Sequence, residues 1–215
     1  MSIEARQLLL LLNWMSPAFP TGSFAYSHGL EWAIEDGTVT TATGLRSWVE
    51  DLMTRGSGWN DAVLFANCWR HDAAELNELA LALAASSERH LEATQLGRAF
   101  RIAASAWKLP IALEEGDIAY PIAAATACRA AGIDKTHALL AYLQGFGAAL
   151  VSVAVRLVPL GQTQGLETLR DLMPAVAATA ERAAIAALAD LGAIAIAADI
   201  AAMNHETLHS RVFRT

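Results

Sequence analysis

ALLAYLQGFGAALVSVAV, residues Ala138 to Val155, carries no charged side chain and approaches the length needed to cross a bilayer. Two folds compete for it: a membrane span, or the central helix of an all-helical domain. The stretch contains Gln144, Ser152, two glycines and many alanines, which insert weakly, and it lacks an aromatic belt and a basic flank on one side. A helix apolar all round is also what the middle of an α-helical domain requires. The segment therefore reads as a core helix over Asp134 to Val158, and its small residues suit close helix contacts or a dimer interface.

Working outward, every neighbouring segment is helical too. Ser2 to Met15, Ser27 to Asp36 with Gly37 as a left-handed cap, and a segment from Thr41 carrying Leu45, Trp48, Val49 and Leu52 on one face form the first third. After a break at Arg55 to Gly58 come Asp61 to Arg70, Ala73 to Ala85 and Ser87 to Trp107. Leu109 to Pro121, with two prolines and Gly116, reads as a surface loop of a length that is often functional. Helices at Pro121 to Ala131, Leu166 to Met173, Pro174 to Leu191 and a last one ending near His209 complete an all-α fold of about ten helices. No strand pattern competes, and 215 residues suit one compact domain spanning 1–215.

Composition narrows the function. Apolar residues make up 54% of the chain and the mean hydropathy is +0.33, much of it from alanine, which favours closely packed helices. Asp and Glu outnumber Lys and Arg by 22 to 15, a net charge of −7, which disfavours nucleic acid as a partner. Only Lys108 and Lys135 are lysines, so no polybasic segment exists to hold an anionic membrane. Cys68 and Cys128, far apart and outside any CxxC pair, read as buried thiols of a reducing, cytoplasmic compartment. Of the six tryptophans, all but Trp107 fall before residue 70, mostly as core residues.

Chemistry-bearing motifs are few. HETLH, His205 to His209, is a literal HExxH, in which two histidines a helical turn apart bind zinc and the glutamate acts as base. A third ligand is commonly supplied downstream, and Ser210 to Thr215 offers none, so a zinc-dependent hydrolase stands as the alternative reading. His28, His71, His90 and His137 read as scattered surface or capping residues. Glu88, Glu92 and Gln95, at helical spacing beside Arg89, read as a solvated face. Within Pro17 to Ser27, two prolines and a glycine present Phe19, Phe24 and Tyr26 with little entropy left to lose on binding.

SPAFPTGSFAYSHGLEWAIEDGTV, Ser16 to Val39, resembles the opening of the UreF family of urease accessory proteins: a proline-glycine loop, Phe-x-Tyr-Ser, then Gly-Leu-Glu. ERHLEATQLG at Glu88 to Gly97, VRLVPLGQTQG at Val155 to Gly165 and the C-terminal MNHETLHSRVFRT are similar to the same family in the same order. His28 stands where the family usually has glutamine. The resemblance implies an all-α, usually dimeric scaffold without a catalytic site or permanent cofactor. It would join UreD (also called UreH) and the GTPase UreG on apo-urease and regulate GTP-dependent nickel insertion. It also implies partner-binding roles for Phe24, Tyr26, Ser27 and Glu31 in the first segment, Gln162 in the third, and His205, Glu206, Arg211, Phe213 and Arg214 in the last. The tail, residues 204–215, reverses the chain's acidic charge locally. It is expected to leave its own domain and dock a partner, most simply UreD, with Phe213 in a partner pocket and Arg211 and Arg214 on partner carboxylates.

Overall fold

A computed structural model describes residues 3–109, 116–158 and 160–214. Among these it forms ten α-helices and no strand: α1 Ala5–Trp14, α2 Leu30–Glu35, α3 Ala42–Arg55, α4 Ser57–Asn67, α5 Ala73–Ala82, α6 Ser87–Ala104, α7 Tyr120–Ala130, α8 Lys135–Leu157, α9 Gln162–Ile185 and α10 Ile196–His205. Residues 110–115 of the expected loop at Leu109 to Pro121 lie outside the described residues.

The starts of these helices are written locally. Thr41, Asp72, Ser86 and Asp134 each accept hydrogen bonds from first-turn amides of α3, α5, α6 and α8. Gln7 reaches back to the Glu4 amide at the head of α1. Gly37 takes φ +83° beyond α2, as expected of a left-handed cap.

The charge-free stretch occupies α8, which is long and apolar enough to cross a membrane by length and composition. Half of its most apolar window is buried by the chain itself. Leu139, Leu143, Gly147, Leu150 and Ala154 line that buried side. α8 packs against α9 along its length and also touches α1, α2, α3, α4 and α7. α6 pairs with α7 and α10 lies on α2. Trp14, Phe19, Phe100 and Trp107 form an edge-and-tilt aromatic cluster that pins the loop after α1 onto α6.

Several boundaries differ from the sequence reading, among them the end of α9 at Ile185 rather than Leu191. The break between α3 and α4 is the single residue Gly56, so α4 begins earlier, at Ser57. α2 begins at Leu30 rather than Ser27, because His28 (φ +51°) and Gly29 (φ +75°) both take left-handed conformations. The segments divided at Pro174 are one helix, α9. Proline there removes one hydrogen bond and crowds the preceding turn, about 3 kcal/mol. The buried stripe Leu172, Val176, Thr179 and Ala183, which continues through it, offsets that cost. The last helix stops at His205, not near His209.

Two glycines mark the closest approaches. A Cβ on Gly29 would lie 2.6 Å from the Ala202 amide nitrogen, so only glycine lets α10 sit on the head of α2. A Cβ on Gly97, inside α6, would lie 1.9 Å from the Ile118 carbonyl oxygen, in the chain entering α7. Gly97→Ala is expected to cost roughly 1–3 kcal/mol through overpacking. Thermal unfolding followed by circular dichroism checks this, and an unchanged melting temperature would refute so close an approach.

Candidate partner interface

The C-terminal segment folds back onto the domain and is tied there by one carboxylate. Glu31, in the first turn of α2, is buried; its Oε1 accepts the Val212 amide at 2.7 Å and its Oε2 the Phe213 amide at 2.9 Å. His205 Nε2 lies 2.9 Å from the same Oε2, and Nδ1 lies 2.8 Å from Glu88 Oε2 on α6. Glu88 also pairs with Arg211. Glu206 accepts from the Ser87 hydroxyl at 2.8 Å and the Glu88 amide at 3.4 Å, so it serves the N-terminus of α6. The Arg214 amide donates to the Ala25 carbonyl at 2.8 Å. Its guanidinium and the Tyr26 hydroxyl both donate to Gln95 Oε1, at 2.9 and 2.6 Å.

The structure thus brings together Tyr26, Glu31, His205, Glu206, Arg211, Phe213 and Arg214, which the sequence places at opposite ends. It corrects their expected exposure. Phe213 is 4% exposed and His205 fully buried, and Tyr26, Ser27 and Glu31 are buried as well. The expected partner pocket for Phe213 is supplied by the chain itself, because Glu31 satisfies the two amides that carry the ring inward. Burial pushes the Tyr26 phenol above its ordinary range, against the opposing pull of Arg214. Phe24 remains 53% exposed, while Phe19 in the same loop is core. Gln162 stands apart, exposed at the head of α9.

The HExxH geometry is not formed. α10 ends at His205 with Glu206 as its cap, so His209 falls beyond the helix, on the surface. The two histidines do not share a helical face, both nitrogens of His205 face carboxylates of this chain, and Glu206 is engaged by α6. Among the described residues no three His, Cys, Asp or Glu side chains converge as a metal cage.

A second buried network lies beside the first and corrects the reading of its members as surface residues. His28 Nε2 sits 2.8 Å from Glu92 Oε1, and Arg89 pairs with Glu92 and lies 3.2 Å from His28. Burial works to raise the Glu92 carboxyl, but Arg89 and His28 outweigh it and hold it down at about 2. Burial lowers the His28 imidazole, with Arg89 adding to the effect. Asp61 accepts the Tyr142 hydroxyl at 3.0 Å and is pushed up to about 6 by burial, partly opposed by Arg89 and that bond. Helical spacing alone could not reveal that Glu92 points inward; the sequence offers only Arg89 three residues earlier, and the contact with His28 is made by the fold.

Among the described residues the chain is all-helical, and its largest polar network is spent on seating its own terminus. Comparison with known proteins gives the family. The UreF family profile matches residues 39–173. Relatives named urease accessory protein UreF include those of Ruegeria pomeroyi, 44% identical over 98% of this chain and 97% of its own. Those of Brucella ovis, 46% identical over 97% and 94%, and Mesorhizobium japonicum, 47% identical over 97% and 96%, are similar to the same extent. The chain belongs to the UreF family, and these relatives are accessory proteins to an enzyme rather than enzymes.

Two outcomes follow from the geometry. Glu31→Ala leaves two amides and an imidazole nitrogen without their acceptor, so hydrogen exchange at Val212 and Phe213 should become fast while the amides of α8 stay protected; retained protection would refute the role of Glu31. Asp61, raised in the fold, contributes stability below its unfolded value near 3.8 that is lost as pH rises through about 6. Asp61→Asn should therefore match the wild-type melting temperature near pH 4 and exceed it at pH 8. A constant difference across that range would contradict the shift.

Proposed function

We propose that the chain scaffolds and regulates GTP-dependent nickel insertion into apo-urease, binding UreD (UreH) and the GTPase UreG, with nickel as cargo rather than resident cofactor. The observation that carries this reading is identity of 44–47% with proteins named UreF over 97–98% of the chain. The structure supports a binding role in physical terms. His28, Glu31, Glu92 and His205, the groups with catalytic potential, are engaged with one another or with backbone amides. Apolar side chains stand in the open: Ile196, Ile200 and Met203, at i, i+4 and i+7 along α10, are each at least half exposed, and Leu9 and Leu12 more so on α1.

We read the working form as a cytoplasmic, non-enzymatic homodimer, and the tail as a contact made through its outer side, where Arg211, Val212 and Arg214 remain accessible. Co-expression with urease, UreD and UreG tests the assembly. The full chain should co-purify with UreD, and urease made without it should hold little nickel and little activity. Light scattering should give the mass of two 22.8 kDa chains. Fully nickel-loaded urease in the absence of this chain would refute the function; a monomer at micromolar concentration would remove the dimer.

A further inference from the structure

Next to the docked tail lies a surface whose charge opposes that of the rest of the chain. Arg156, exposed near the end of α8, has its guanidinium 5.9 Å from the ring centroids of both Phe24 and Phe213 and reaches the Phe24 carbonyl at 3.5 Å. It therefore joins the loop after α1, the core helix and the tail. Arg214 projects beside it onto Gln95. Leu91, Gln95, Arg98 and Ile102 follow one another at i, i+4, i+7 and i+11 along α6, all exposed, which puts Arg98 one turn beyond the Arg214 contact. Among the described residues no carboxylate pairs with Arg98, Arg156 or Arg214.

The patch is more than a set of cations. A cavity of about 210 Å³ has the exposed Phe24 and Arg156 in its wall together with Tyr26 and Trp14, and the His28–Arg89–Glu92 cluster lines it as well. The buried indole nitrogen of Trp14 has no hydrogen-bond partner among the described residues. On the other side of Arg156, a hollow is bordered by Ser152, Gln162 and Leu166, the last 68% exposed. Exposed apolar groups thus lie beside guanidinium groups that have no carboxylate partner among the described residues, and one of these, Arg156, stands in the wall of the cavity.

We infer that this composite surface, centred on Arg156, docks an acidic segment of a protein partner, with an apolar side chain of that segment entering the cavity beside Phe24. The inference deepens the scaffold reading and rests on it: it names the chemistry the partner presents. Guanidinium groups take carboxylates in bidentate pairs, and a rim of unpaired charge around an apolar centre is the layout of a protein interface. A second copy is the poorer occupant, because a two-fold contact through this patch sets arginine against arginine. Nucleic acid is disfavoured by the net charge of −7.

The test is the association rate of the purified chain with UreD and with UreG, measured by surface plasmon resonance at low and high salt. Wild type, Arg98→Glu, Arg156→Glu and Arg156→Lys are compared, with melting temperature as the folding control. With one of the two partners, wild-type association should fall with salt, and each Glu variant should associate about tenfold more slowly at low salt with a flattened salt dependence. Arg156→Lys should keep the salt dependence and lose only the ring contacts. Among the described residues Arg98 has no hydrogen-bond or ion-pair partner, so its variant reads the surface even if Arg156→Glu melts early. Wild-type binding that both Glu variants reproduce, salt dependence included, overturns this inference and leaves the scaffold reading intact. A wild-type chain that binds neither partner sinks the scaffold reading and this surface with it. Self-association weakened by the Glu variants, with partner binding unchanged, assigns the patch to a second copy and also overturns it.

Discussion

The carboxylate of Glu31 is the point on which the two ends of the chain depend. It accepts from residues 174, 181 and 182 positions away. A buried carboxylate costs several kcal/mol unless it is fully bonded, so the fold tolerates Glu31 only with the tail in place. The dependence is reciprocal, since the Val212 and Phe213 amides would lose their acceptor without it. The left-handed turn at His28 and Gly29 is part of the same constraint: it lets α10 rest on the head of α2, which carries His205 to Glu31.

Two networks share the same pair of elements. On α6, Glu88 faces the tail while Glu92, one turn later, faces the core. On the α2 side, His28 meets Glu92 and Glu31 meets His205. The entry to α2 and the first turns of α6 are thus joined twice, once through a His–Glu–Arg cluster inside the domain and once through the terminus. The His28–Glu92 and Arg89–Glu92 contacts are made between residues outside the tail, so the two joints between the entry to α2 and α6 use different side chains.

What the sequence disclosed was what local physics controls. The left-handed Gly37, the helix starts near Thr41, Ala73, Ser87 and Asp134 and the uncharged helix are decided within a turn or two, and each lies within a residue of where the sequence puts it; the side-chain caps at Asp72 and Ser86 are added by the structure. Pro174 misled because its local cost is real and the buried stripe that offsets it belongs to contacts with other helices. Glu92 misled for the same reason: 88, 92 and 95 share a helical face, and only the placement of α2 and α4 decides which part of it meets solvent. The tail was read as an apolar, basic end with nothing to hold it, because its acceptor lies 182 residues earlier. Motif resemblance placed Glu31, His205 and Phe213 in one functional set, but it could not say that they meet one another.

That meeting changes what such a motif means. Residues of a recognised binding segment divide here into those that build the surface and those that present it. Glu31, His205, Ser27 and Phe213 are inside and have no face to offer; they act by fixing where the backbone of the tail runs. Phe24, Arg211, Arg214 and the unannounced Arg156 stand outside, and their positions follow from that backbone: Phe213, drawn inward by Glu31, becomes the second ring against which Arg156 is held. A guanidinium packed between two rings is restrained before any partner arrives, so less entropy remains to be lost on docking than for a free arginine side chain. The buried acid and the surface cation are therefore two ends of one arrangement, in which the cost of burying Glu31 is returned as a preorganised contact.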